Sequence, residues 1–263
     1  MLWSAPLNLF EEADLPEELI EEKRLYTRVE LEDTMQCSVV ELEAAFRAIG
    51  AFDFEGFVRV LSIESEYAVA KHVLLSINAE GLDPERLYRE DVLKVSQDAN
   101  FPSPVLDHAL DVFLSPLDSS ANISTGNDKH FKFDARKYAA LVAQAMLRSK
   151  SKDYWSLAPF MLQLREKIPD NLTVDESALE GLVCRHELGK EDVKLTYLPA
   201  SSMSHNPRKR LGELFKHKPK WTFGELLPFL QDLVTAETNE EQILVAHTRS
   251  STGPSGVKLY SSR

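Results

Sequence analysis

The sequence predicts a mainly α protein with small β-hairpins, arranged as tandem winged-helix modules. Apolar residues recur at helical spacing over several long segments. Short aromatic and β-branched runs, folded about glycine turns, separate those segments. The order helix, helix, hairpin then repeats along the chain, and repetition carries more weight than any single unit.

Residues 1–24 contain Pro6, Pro16 and seven Asp or Glu, which reads as a frayed lead-in with a short helix at Leu15–Lys23. In the first module, 25–64, Val29, Leu31 and Met35 fit a short helix. Ser38, with Glu41 three residues on, is a capping box for a second helix. That helix is expected to show a broad apolar face made by Val40, Leu42, Ala44, Ala45, Phe46 and Ile49, and Gly50 stops it. Aromatic and β-branched residues over Ala51–Ser62, either side of Glu55-Gly56, make a hairpin.

The second module, 65–134, opens with a helix at Ser65–Ala79 whose apolar face is Tyr67, Ala70, Val73, Leu74 and Ile77. A short strand at Leu87-Tyr88 follows, then helices at Glu90–Gln97 and Pro104–Leu114, the latter capped by Ser103. Ser115–Asp128 is a polar wing tip and Lys129–Asp134 the returning strand. The third, 135–199, has helices at Ala135–Ser149, Tyr154–Lys167 and Ser177–Leu182. Its hairpin pairs Val183–His186 with Val193–Leu198 around Leu188-Gly189-Lys190. After a Ser-rich linker, the last module, 207–263, has a helix at Pro207–His217, the run Lys220-Trp221-Thr222, and an apolar helix within Phe223–Val234. A helix at Asn239–Thr248 and a strand at Val257–Ser261 complete it.

Composition narrows the function. The net charge of −12 argues against a protein dedicated to DNA or acidic membranes, but leaves room for a local basic face. Charge is uneven: residues 1–64 hold 15 acidic against 5 basic side chains, and residues 206–263 hold 6 against 9. Different ends are thus expected to serve different partners. No stretch approaches the roughly 18 apolar residues of a membrane span. Cys37 and Cys184 share no metal-ligand spacing and are too few for a disulfide framework, so the chain reads as soluble and intracellular. Its two glycosylation sequons, at Asn122 and Asn171, then read as chance.

Catalytic signatures are missing. The ten glycines form no phosphate cradle, and no nucleophile elbow occurs. His186-Glu187 lacks a second His four residues on, and Cys184 sits too close to His186 for a usual zinc pair. A buried cysteine and a hairpin-edge histidine explain both. Paired carboxylates such as Glu21-Glu22 read as solvated faces. The sequence therefore predicts a non-enzyme with no cofactor and no metal, working by binding.

The carboxyl end holds the candidate binding residues. Arg249, Lys258 and Arg263, with hydroxyls at Ser250, Ser251 and Tyr260, are groups that bind phosphate oxygens by charge-assisted hydrogen bonds. Lys220 and Trp221 join them as candidates for DNA or partner contact. The plainer reading is a capped helix, a polar turn and a solvated tail.

The runs KWTFGELLPFLQDL (Lys220–Leu233), RSST (Arg249–Thr252) and GVKLYSSR (Gly256–Arg263) resemble the carboxyl terminus of one family. It is the subunit named for defective sister chromatid cohesion, from the cohesion-specific alternative clamp loader. LYTRVELEDTMQCSVVELEAAFRAIGAF (Leu25–Phe52) and KLTYLPASSMSHNPRKRLGELF (Lys194–Phe215) are similar to it too, so the resemblance covers Leu25 to Arg263. It implies a nuclear, non-catalytic subunit of a replication-factor-C-like complex whose ATPase lies elsewhere. Its carboxyl half would be tandem winged helices binding DNA polymerase ε, through the early part of the array, and DNA. Its β-rich amino-terminal half would join the other clamp-loader subunits; no such domain is expected before Leu25. The expected function is an adaptor in DNA replication and sister chromatid cohesion, with weak, salt-sensitive DNA contact. The alternative is a protein-only winged-helix scaffold in another assembly.

Overall fold

The computed structural model describes residues 7, 25–98, 100–117, 129–148, 154–187, 189, 192–235, 238–253 and 256–263. It is mainly α-helical with small antiparallel sheets. The chain divides into two compact units, 1–141 and 142–263, with the division falling inside one helix. Among the described residues no helix is long and apolar enough to cross a membrane.

Unit one begins with helices α1 (Arg28–Thr34) and α2 (Val39–Ala48), each opened by a complete capping box, Thr27 with Glu30 and Ser38 with Glu41. The broad apolar face expected of α2 does not exist. Only Leu42 and Phe46 are buried, while Val40 is 76% exposed. At 100° per residue Val40 lies about 200° from Leu42, so the two cannot share a face. Leu42 and Phe46, one turn apart, close a small core with Leu31 and Val58. Strands β1 (Ala51–Phe54) and β2 (Phe57–Val60) form the expected hairpin. Its two-residue loop, Glu55-Gly56, has both φ angles positive, 52° and 83°, as a hairpin turn of matching twist requires. The lead-in is held at Leu7, which exchanges backbone hydrogen bonds with Val60 and Ser62. The helix expected at Leu15–Lys23 lies outside the described residues.

The larger core of unit one is built on α3 (Ile63–Ala79), where Val69, Ala70, Val73, Leu74 and Ile77 are essentially inaccessible. Helices α4 (Arg89–Val95) and α5 (Ser103–Phe113) pack on it. Ser103 does not cap α5; it is the first helical residue, Pro102 precedes it at the cap, and Pro104 supplies its fixed φ at the second position. Strands β3 (Leu87–Tyr88), β4 (Leu114–Pro116) and β5 (His130–Phe133) form a three-stranded sheet in the order β3-β5-β4. The expected wing tip begins as β4, and residues 118–128 lie outside the description. Helix α6 (Ala135–Arg148) starts in this unit, with Tyr138 edge-on to Phe133 at 5.8 Å.

Unit two repeats the sheet pattern twice. Strands β6 (Trp155–Ser156), β7 (Val183–Glu187) and β8 (Val193–Tyr197) run in the order β6-β8-β7. The helix expected from Tyr154 starts only at Leu157, as α7 (Leu157–Glu166), because Trp155 and Ser156 pair with β8 instead. Ser177–Leu182 is no α-helix but a 3-10 turn at Glu176–Leu179, closed by Gly181 at φ 71°. Helix α8 (Pro207–His217) has Asn206 as its cap and Pro207 at its first turn. Strand β9 (Trp221–Thr222) leads into α9 (Phe223–Leu226). The longer helix expected there breaks into two 3-10 turns, since Pro228 has no N–H and its ring clashes with the carbonyl four residues back. Helix α10 (Glu240–His247) and strands β10 (Thr248–Thr252) and β11 (Lys258–Ser262) follow, with sheet order β10-β11-β9. A core of Cys184, Leu211, Leu214, Trp221, Phe229, Leu230, Ile243 and Leu244 lies among them.

Candidate nucleic-acid interface

The division of charge matches the division of the fold. Residues 1–141 carry 13 basic and 27 acidic side chains, a net of −14, and residues 142–263 carry 17 and 15, a net of +2. The excess of acidic over basic side chains therefore lies wholly in unit one, and unit two carries no net repulsion of its own toward a polyanion.

Within unit two, the final sheet collects most of the candidate residues. Thr248–Thr252 is a strand and not a polar turn: Arg249 lies opposite Ser261, Ser250 opposite Tyr260, and Ser251 opposite Leu259. Tyr260 in turn lies opposite Trp221. Side chains alternate across a strand, so the two faces separate the candidates. Thr248, Tyr260 and Trp221 occupy the core face, at 6%, 7% and 1% exposure. Trp221 donates its indole N–H to the Lys218 carbonyl at 2.7 Å and packs edge-on to Phe229 at 5.8 Å. Both aromatic candidates are thus core residues with no exposed ring to stack on a base. The outer face carries Arg249 and Ser251, both exposed, with Thr222 and Ser261 in register beside them. The Thr222 hydroxyl is spent on Glu225 in the cap of α9, and Leu259 lies between it and Ser251. The outer face thus offers phosphate oxygens one guanidinium and the hydroxyls of Ser251 and Ser261. Ser250 shares the core-face side of β10 but is exposed near its outer edge.

The remaining candidates divide. Lys220 is exposed just before β9. Lys258, at the turn end of the β10–β11 hairpin opposite Thr252, holds its ammonium 5.2 Å from the centre of the Tyr260 ring. Arg263 donates to the carbonyls of Ala246 at 2.8 Å and Val245 at 3.4 Å, so it caps the carboxyl end of α10.

A second group of cations escaped the sequence reading. On β7 and β8, His186 lies opposite Lys194, and the His186 ring meets the Thr196 hydroxyl at 3.2 Å. Tyr154, 56% exposed, stands edge-on to His186 at 6.1 Å, with the Lys194 ammonium 6.0 Å from its ring centre. Burial lowers the pKa of His186, and the nearby charges of Lys218 and His217 lower it further. Lys218 is already paired with Glu225. Three basic side chains, His186, Lys194 and His217, and an exposed aromatic therefore share one neighbourhood, the combination that single strands and phosphate backbones meet in binding proteins. The register sum of the hairpin was the available signal, since any turn centred near residue 190 pairs 186 with 194.

Other chemistry finds no site. Among the described residues no three His, Cys, Asp or Glu side chains converge as metal ligands. Cys184 is fully buried and burial pushes its thiol up to about 11, which leaves it a packing residue.

Residues 4–230 match the family described as "Sister chromatid cohesion protein Dcc1". The match begins well before Leu25 and ends before the RSST and GVKLYSSR runs. The mouse protein "Sister chromatid cohesion protein DCC1" is 23% identical over 256 residues, covering 97% of this chain and 61% of its own length. Its Xenopus laevis namesake is 25% identical over 243 residues, 92% of this chain and 60% of that protein. A Dictyostelium discoideum protein with the same description, marked probable, is 21% identical over 251 residues, 89% of this chain and 65% of its own. The chain thus spans about three-fifths of the length of the curated relatives it matches. With a family match over most of its residues, this chain belongs to the Dcc1 family of sister chromatid cohesion proteins.

Proposed function

We propose that this chain is a non-catalytic, nuclear adaptor acting in sister chromatid cohesion and DNA replication, as a subunit of an alternative clamp-loader complex. In this reading unit one docks a protein partner, DNA polymerase ε, and unit two touches DNA weakly. The single observation that carries it is that the excess of acidic over basic side chains lies wholly in residues 1–141, while residues 142–263 carry a net of +2 and no net repulsion of their own toward a duplex. Family membership supports the cohesion role. The recurring three-stranded sheet, in which the last strand lies between the other two, supports reading 65–134, 135–199 and 207–263 as tandem winged-helix modules, preceded by 25–64, whose sheet is a two-stranded hairpin.

DNA contact is assigned to Arg249, Ser251 and Lys258 on the final sheet, to Lys220 just before it, and to His186, Lys194 and Tyr154. Arg263 serves the fold first, so its reversal would confuse instability with lost contact. The test is therefore Arg249→Glu with Lys258→Glu. Fluorescence anisotropy on a short duplex at 25–200 mM salt, with thermal melting as the control, reads the result. Each phosphate contact contributes roughly 0.9 to the slope of log K against log salt, so the pair should weaken binding and flatten the slope by about two. Unchanged binding and slope in a folded variant would remove the DNA assignment and leave the protein-only scaffold. A pull-down with the polymerase ε catalytic region tests the other half.

A further inference from the structure

Unit one contains a groove of about 860 Å³ between β1, the carboxyl end of α2 and the helices α3 and α5. One wall is aromatic: the Phe52 ring of β1 stacks on the His108 ring of α5, 4.4 Å apart and within 11° of parallel. Burial lowers the pKa of His108 despite the opposing charge of Asp111, so the wall is uncharged at neutral pH. Ile49, 48% exposed, Pro104 and Val112 add apolar surface.

The carboxylates lining the groove are answered by cations, with one exception, and its two basic groups donate to backbone carbonyls. Asp53 pairs with Arg28, and Asp107 and Asp111 share Arg89. Lys137 donates to the Val112 carbonyl at 2.9 Å and lies 3.8 Å from Asp134. Arg47 donates to the carbonyl of Glu43. Glu66, in the first turn of α3, lines the same groove, yet no cation or donor among the described residues reaches its carboxylate. Burial alone raises its pKa, with no charged neighbour acting on it. A desolvated carboxylate without a partner costs stability, and a cation brought to it recovers that cost.

We propose that this groove receives a segment of a partner protein that inserts a lysine or arginine side chain, laying its alkyl stem along the Phe52–His108 wall and its charge against Glu66. The charge of unit one, −14, favours a basic partner at long range. The volume exceeds what one side chain fills, so an apolar neighbour of that cation covers Ile49 and Pro104. A nucleic acid does not fit, since the groove offers it an unanswered anion.

The test needs neither DNA nor polymerase, so its failure is separate from that of the functional reading. A displayed library of random 12-residue peptides is selected on the full chain, and the strongest peptide is measured by fluorescence polarisation. Selected peptides should share a Lys or Arg beside an apolar residue. Glu66→Gln should weaken binding at least tenfold, as should replacing the peptide's cation by norleucine, and combining the two should add little. Glu80→Gln, at the far end of α3, should bind normally. Peptides without a common basic residue, no enrichment, or equal affinity for Glu66→Gln in a chain that melts normally would each overturn the proposal.

Discussion

Arg210 is the most demanding side chain in unit two, because it is charged and has no exposed surface. It donates Nε to the Ser204 carbonyl at 2.8 Å, Nη1 to the Phe229 carbonyl at 2.8 Å, and a two-pronged pair to Asp232. One guanidinium thereby ties the linker before α8 to the 3-10 turns after α9. Arg210→Met keeps most of the volume and removes the charge. Two carbonyls then lose their donors, each worth about 1–3 kcal/mol when buried. Asp232, 40% exposed on its side chain, is re-solvated and adds little. Together with imperfect packing, the loss should be about 3–5 kcal/mol, the usual scale for one partner removed from a buried ion pair. At roughly 3–4 °C per kcal/mol for a unit of this size, the melting midpoint should fall by about 9–20 °C. Far-ultraviolet circular dichroism reads the midpoint, and Trp221, packed on Phe229, is one of three tryptophans that contribute to the accompanying fluorescence. A fall of less than about 3 °C would show that the fork holds nothing that hydrophobic contact does not already hold, and the argument from buried donors would fail.

Two other outcomes follow from the charges of unit two. Burial pushes the Glu225 carboxyl up, but the Lys218 ammonium and the N–H and hydroxyl of Thr222 outweigh it and hold it below its ordinary value of 4.5. Its contribution is therefore present above that value and is lost as pH falls through the lower folded one, so Glu225→Gln should cost about 1 kcal/mol at neutral pH and flatten the acid limb of urea midpoints below pH 4.5; a parallel acid limb would refute it. His186 has the opposite arithmetic: its folded pKa is depressed, so protonating it opposes folding, and a phosphate placed beside it would favour the charged ring. Nuclear magnetic resonance titration should show its pKa rising when duplex is added, with tighter binding at pH 6 than at pH 8, and Lys194→Glu should weaken that binding; an unmoved His186 would exclude β7 and β8 from the interface.

What could be read from the residues divides by the kind of physics involved. Capping is local, so Ser38 with Glu41 placed the start of α2 directly. The Glu55-Gly56 turn was equally local. Strands of two residues are another matter: Trp155-Ser156 has no period to detect, and only pairing with β8 makes it a strand. Thr248–Thr252 has no apolar alternation either, and its ladder to β11 decides its form. That ladder also separated the candidate site, sending Arg249 and Ser251 outward and Tyr260 inward, an outcome that depends on which face meets the core. His186 and Lys194 became neighbours through register, and Tyr154 through the fold of β6 beside them.

In each of the three triple-stranded sheets among the described residues, the strand made last by the ribosome lies in the middle. Its two flanks, such as β9 and β10, emerge earlier with nothing to bind, and their backbone amides stay open until β11 slides between them. Synthesis should therefore leave each sheet as a pair of waiting edges, vulnerable to another chain, with closure arriving in one late step. A ribosome stalled just before residue 258 ought to display a nascent chain that chaperones hold and proteases cut, whereas a few dozen further residues of tether would let it become resistant.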